Sequence, residues 1–253
     1  MSLQALLFDV DGTMADTERD GHRIAFNLAF KEVGLDWDWS VELYGKLLAV
    51  TGGKERIQHY LDHYNTEFKR PAALADYIAD LHKSKTRHYT ELLNTGAIPL
   101  RPGVLRILTE ARAAKLRLAI ATTTTPANVS GLLKNTLGAE GESWFEVIAA
   151  GDIVPAKKPA SDIYDYALKE MDLSAAEGIA FEDSENGIQS SLGAKLKTII
   201  TINDYTQEHN FNGASMVLDC FGEPDKAFKV LAGDAYGKSY LDLELIKQLH
   251  ARS

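Results

Sequence analysis

The chain has 253 residues, 45% of them hydrophobic and 25% charged, with a formal net charge of −9 and one cysteine. That length suits one large domain or a core with a smaller insertion, and no apolar run approaches the ~20 residues of a membrane span. The acidic balance argues against a nucleic-acid partner, which needs a basic surface to release counterions, and a lone Cys220 excludes an internal disulfide framework.

The N-terminal Met-Ser-Leu-Gln has no basic region before its short apolar stretch, so it reads as part of the fold and not as a signal peptide. The expected location is the cytoplasm, or an organelle stroma after loss of a transit peptide. No membrane contact is expected, and the chain is expected to act as a monomer on a small molecule. If that molecule is an anion, local lysines, arginines and a bound cation must overcome the global field.

Residues 3 to 8 form an apolar run that ends in Asp9-Val10-Asp11-Gly12-Thr13. The run predicts a strand covered on both faces, and Gly12 predicts a turn where backbone N–H groups approach a ligand closely. Asp9 and Asp11 then lie together, one able to attack an electrophile and the other to handle a proton. Both can offer oxygen to a hard cation such as Mg²⁺. A capped turn would leave the same pattern.

Next comes a helical block: His22 to Phe30, Val41 to Leu48, Lys54 to Tyr64 and Leu74 to Leu93 carry apolar residues at helical spacing, broken by Thr51-Gly52-Gly53 and Pro71. From Pro99 the texture alternates. Strands are predicted at Leu116 to Thr122, Phe145 to Ala149, Gly178 to Glu182 and Lys197 to Thr201. Helices over Val104 to Ala114, Asn128 to Leu137, Ile163 to Met171 and Gly187 to Leu192 fall between them. The expected fold is α/β, a doubly wound parallel-sheet (Rossmann-like) core formed by residues 1–15 and 98–230 with a helical cap inserted over 16–97. Residues 231–253 are expected to be a helical extension without an assigned role.

Ligands bind such sheets at the carboxyl ends of the strands, and each end here carries polar chemistry. Thr122 can donate its hydroxyl to a phosphate oxygen, with Thr123 and Thr124 beside it. Lys158 can neutralise a nucleophilic aspartate and a transferring phosphoryl group. Glu182 and Asp183 can complete a Mg²⁺ site with Asp9 and Asp11. Taken singly, these residues also suit a β-branched strand end, a solvated lysine pair and an acidic helix N-terminus.

In this order and at these spacings, Asp9-x-Asp11-Gly12-Thr13, Thr122, Lys158-Pro159 and Glu182-Asp183 resemble the four motifs of the haloacid dehalogenase-like superfamily, in its phosphatase and phosphomutase branch. The resemblance extends to about Asp219. It implies that Asp9 attacks phosphorus, that Asp11 protonates the leaving sugar oxygen and then activates water, and that Mg²⁺ and Lys158 hold the charge.

Within the branch, the segments Asp16 to His22, Thr51 to Ile57, Ala121 to Thr124 and Ala149 to Asp152 are most similar to CbbY-type phosphatases, related to the beta-phosphoglucomutases. That likeness implies hydrolysis of xylulose-1,5-bisphosphate, an inhibitor of Rubisco in the Calvin cycle. Two departures stand out. One residue more separates Glu18 from His22 than in typical mutases, and Ser161 stands where proline is frequent, reading as a helix cap.

The cap is expected to set specificity by closing over the sugar. Glu18, His22, Tyr44, Lys54 and Arg56 are the candidates there: Glu18 for sugar hydroxyls, Lys54 or Arg56 for a distal phosphate, with Tyr44 equally suited to the cap core. A beta-phosphoglucomutase-like mutase would use the same aspartates. A phospho-accepting receiver-type signalling domain would share the acidic and lysine set, but needs neither a first-strand acceptor nor a helical insertion.

Overall fold

The computed structural model describes residues 2–50 and 53–252. It forms two compact units, Met1–Asp16 with Pro99–Ser253, and Thr17–Ile98.

The first unit is a seven-stranded sheet in the order β3-β2-β1-β4-β5-β6-β7, with strands β1 (Ala5–Phe8), β2 (Arg117–Thr122), β3 (Val147–Ala150), β4 (Gly178–Glu182), β5 (Lys197–Thr201), β6 (Met216–Leu218) and β7 (Val230–Ala232). The pairs from β3 to β6 are parallel, and β7 returns antiparallel on β6. Every residue of β1 and β4 is buried, as expected for central strands covered on both faces. The register sets Phe8 beside both Ile120 and Phe181, so β2 runs on to Thr122 and β4 to Glu182 alongside the segment that begins with Asp9. This alignment brings the polar residues that follow each strand to a single edge.

The second unit is helical: a π-helical turn Thr17–His22 leads into α1 (Arg23–Glu32), followed by α2 (Val41–Leu47), α3 (Gly53–His63) and α4 (Leu74–Asn94). Phe26, Phe30, Trp37, Trp39 and Tyr60 pack ring on ring at its centre, with centroids 4.7 to 5.3 Å apart for Phe26–Trp39, Trp37–Tyr60 and Trp39–Tyr60. The stretch from Glu18 to His22, expected from the sequence to be one residue longer than in the mutases, forms a wide π turn. Gly21 permits it, because a Cβ there would lie 2.6 Å from Ile98 and 2.8 Å from Tyr89.

The remaining helices are α5 (Val104–Ala113), α6 (Pro126–Leu137), α7 (Asp162–Glu170), α8 (Glu185–Gly193) and α9 (Leu243–Ala251). Residues 231 and 232 belong to β7, and the helix of the C-terminal segment is α9, whose buried face of Leu245, Ile246 and Leu249 joins the sheet unit. Strands β6 and β7 were absent from the periodicity, because three residues are too few to show alternation. Cys220 is half-buried, and burial raises its thiol pKa, in keeping with an unreactive side chain. Among the described residues no helix is long and apolar enough to cross a membrane.

Candidate active site

Asp9 follows β1, and its N–H donates to the Phe181 carbonyl at 3.0 Å, which fixes it beside the end of β4. The Lys158 ammonium reaches across to the Asp9 carboxylate at 2.7 Å and to Glu182 Oε1 at 2.5 Å. Asp183 completes the group: one oxygen from each of Asp9, Glu182 and Asp183 lies within 4.8 Å of the others, and all three residues are buried. Asp11 is half-buried one turn on, and Gly12 takes φ +84°. A Cβ on Gly12 would sit 2.2 Å from Asp183 Oδ2, so only glycine allows the loop this close. Gly187, in the first turn of α8, is similarly constrained by Glu182 at 1.9 Å.

Thr122 is buried at the end of β2 and accepts the Thr124 N–H at 3.3 Å, which leaves its own hydroxyl proton available to a ligand. Thr123 is exposed and Thr124 half-buried, with Asn128 donating to the Thr124 hydroxyl at 3.3 Å. Thr125 caps α6. Ser161, expected to cap α7, occupies the cap position but does not cap. Its backbone is already helical at φ −77° and ψ −10°, and its hydroxyl donates to Asp165 at 2.7 Å.

The electrostatics follow from three carboxylates sharing one ammonium in a buried space. Burial, and then Asp9, push Glu182 up to about 7, against the opposing pull of Lys158 and Tyr164. Asp183 is raised well above the usual carboxylate range by burial, Asp9 and Glu182, although Asn203 donates to it at 2.7 Å. Burial works against the charge on Lys158, but Asp9 and Glu182 outweigh it and hold the ammonium protonated. Glu182 Oε2 is buried without a hydrogen-bond partner. A set of hard carboxylate oxygens, in excess over the one local cation and with an unpartnered oxygen among them, fits a divalent ion such as Mg²⁺.

This arrangement makes stability depend on pH in a definite sense. Glu182 binds its proton up to about 7 in the folded chain and only to 4.5 in the unfolded one, so with no cation the folded state holds the extra proton in that interval. Stability is then expected to fall as pH rises through the interval, and a bound divalent cation should flatten the slope by taking the proton's place. Urea midpoints across this range, in chelator and in Mg²⁺, check this; identical slopes in the two would contradict it.

In the helical unit, Tyr44 donates to Glu18 at 2.6 Å and accepts from Arg56 at 2.9 Å. Arg56 is buried and also donates to the Leu47 and Val50 carbonyls, tying the end of α2 to α3. Lys54, by contrast, is exposed on α3. Thr51 and Gly52, part of the glycine turn read from the sequence, lie outside the described residues. His22 is held neutral by burial and by Lys85, whose ammonium donates to its Nδ1 at 2.7 Å, and its ring stacks on Tyr89 with centroids 3.8 Å apart.

Four residues escaped the sequence reading. Lys85 left a signal, as a charged residue in the buried stripe Ile78, Leu81, Lys85, Tyr89 of α4. Asn203 lies just beyond β5, where inspection of strand ends would have found it. Tyr164 and Arg101 left none: one reads as a core aromatic, the other as a loop cation.

A profile of haloacid dehalogenase-like hydrolases matches residues 3–195. The chain is 46% identical over 222 residues to the plasmid protein CbbY of Cupriavidus necator, covering 88% of this chain and 87% of that protein. A crystal structure of mutant CbbY from Rhodobacter sphaeroides, in complex with xylulose-1,5-bisphosphate, is similar at a TM-score of 0.73 and 45% identity, over 86% of this chain and 94% of that one. A beta-phosphoglucomutase from Clostridium difficile is similar at a TM-score of 0.66 over 98% of this chain and 97% of that one, but at 19% identity it shares the fold alone.

Proposed function

The chain belongs to the haloacid dehalogenase-like hydrolases and is a phosphatase, and on that premise we propose that it hydrolyses a sugar bisphosphate, xylulose-1,5-bisphosphate foremost, through an aspartyl-phosphate on Asp9. The observation that carries the reading is the buried Lys158 ammonium joining Asp9 to Glu182 beside Asp183. A carboxylate held this way is oriented by its ammonium partner and screened from water, the state a nucleophile toward phosphorus needs.

The Asp9 carboxylate attacks the phosphorus, and the bond from phosphorus to the sugar oxygen breaks. Asp11 gives its proton to that oxygen. The same carboxylate then takes a proton from water, whose oxygen attacks the phosphorus and frees Asp9 and inorganic phosphate. Throughout, Lys158 and the Thr122 hydroxyl hold the phosphoryl oxygens. Asp9, the Asp11 carbonyl, Glu182 and Asp183 would hold Mg²⁺, which supplies positive charge to the transferring group. Thr123 and Thr124 are assigned to the substrate, and the Thr124 N–H also donates to the Thr122 hydroxyl.

In the helical unit, Glu18 is assigned to the sugar hydroxyls, with His22 and Tyr44 as further substrate-binding candidates, and Lys54 or Arg56 to the second phosphate. The exposed Lys54 suits direct contact; the bonded Arg56 suits holding Tyr44 and Glu18 in place. The family assignment sets aside a receiver-type role, and no feature of the site favours mutase over hydrolase chemistry.

A panel of sugar mono- and bisphosphates with Mg²⁺, scored for released phosphate and for isomerised product, tests the reading. Phosphate released fastest from the bisphosphate is the expected result. Isomer without phosphate, or no turnover of any sugar phosphate, would sink it.

A further inference from the structure

Tyr164 lies on α7 at 0% exposure, in the buried apolar cluster that also holds Leu7, Ala121, Ala149 and Ile163. A phenylalanine would satisfy that apolar cluster equally well, and burying a hydroxyl among aliphatic groups is costly unless it is bonded. The hydroxyl has one partner of note: it donates to Glu182 Oε1 at 2.6 Å. The same oxygen accepts from Lys158 at 2.5 Å, and the Lys158 ammonium stands 5.3 Å from the Tyr164 ring centroid. Two strong donors therefore converge on Oε1, while Oε2 has no hydrogen-bond partner and lies against Gly187. A carboxylate pinned through one oxygen cannot turn about its last torsion without breaking both bonds.

We propose that Tyr164 is a positioning residue of this site, its hydroxyl fixing the Glu182 carboxylate through Oε1 so that Oε2 is presented to a divalent cation. The inference rests on reading Asp9, Glu182 and Asp183 as a cation site and goes further in assigning a side chain outside the ligand set. Groups that orient a ligand carboxylate characteristically alter metal affinity more than they alter packing.

The test is calorimetric titration of Mg²⁺ into the full chain, without substrate, for the wild type and Tyr164→Phe. The substitution removes one atom and keeps the ring in its cluster. Mg²⁺ affinity is expected to weaken by about tenfold, at the lower end of losses seen when such supporting groups are removed. In turnover assays the loss should be confined to limiting Mg²⁺ and recovered by raising it, with KM for the sugar phosphate at saturating Mg²⁺ unmoved. Equal affinities in the two proteins would overturn the proposal, and so would a Phe variant that fails to fold, since the hydroxyl would then serve the fold and not the site. A wild type that binds no Mg²⁺ would instead remove the cation site itself, a failure of the functional reading that the same titration tells apart.

Discussion

Asp9→Asn is expected to lower kcat by on the order of 10⁴-fold or more, the usual scale for removing a nucleophile. Its effect on stability should have the opposite sign. Asp9 is among the groups that raise the pKa of both Glu182 and Asp183, so three carboxylates compete for the single Lys158 ammonium. Replacing the one with a neutral amide relieves that repulsion, and Lys158 keeps its bond to Glu182 at 2.5 Å. In chelator near neutral pH, the variant should therefore melt no lower than the wild type while being inactive. A folded variant with near wild-type turnover would exclude Asp9 as the nucleophile. Inactivity accompanied by a large drop in melting temperature would mean that the substitution acts through the fold.

The second large effect is expected away from the reacting atoms. Arg101 is buried at 8% exposure and donates to the carbonyls of Gly12, Thr201, Ile202 and Asp219, the last at 2.8 Å, and it stands 3.4 Å from Asp16. These carbonyls belong to the loop after β1, the end of β5 with the residue beyond it, and the end of β6, so one guanidinium ties three strand ends together at the catalytic edge. Its five donors in a planar fork suit this task, and no lysine could reproduce them. Arg101→Met would keep the unbranched stem of the side chain and leave those acceptors without their donor. It is expected to destabilise the chain by about 3–5 kcal/mol, the range for removing one side of a buried charged network. Urea unfolding measures this directly, and a loss below about 1 kcal/mol would show that water replaces the guanidinium without cost.

The order and types of the main elements were legible in the sequence because they rest on long periodic signals. The buried run before Asp9 and the apolar stripes of α4 and α7 leave little choice of period. The α/β alternation places the carboxyl ends of β1, β2 and β4 at one edge, which is why inspecting the strand ends led to Thr122, Glu182 and Asp183. What stayed hidden depends on contacts between residues far apart in the chain. Arg56 read from the sequence as a cation for a phosphate, and only the fold shows that it is buried and donates to Tyr44 and two carbonyls. Tyr164 carries a core residue's spacing, and only the fold brings its hydroxyl to Glu182. The π turn at Thr17–His22 is met in the sequence only as a stretch expected to be one residue longer than in the mutases, and a count of residues does not say which helical turn results. β6 and β7 are held by their pairing with the rest of the sheet, so their own residues show no pattern.

The central claim is that Asp9 carries the phosphoryl group during turnover. Acid quenching of the enzyme with sugar bisphosphate and Mg²⁺, followed by borohydride reduction and peptide mapping, would convert an aspartyl-phosphate to homoserine and locate it. The account predicts homoserine at residue 9 alone, lost when Mg²⁺ is chelated before substrate is added. Homoserine at another carboxylate, or none at any residue while phosphate is released at full rate, would contradict it.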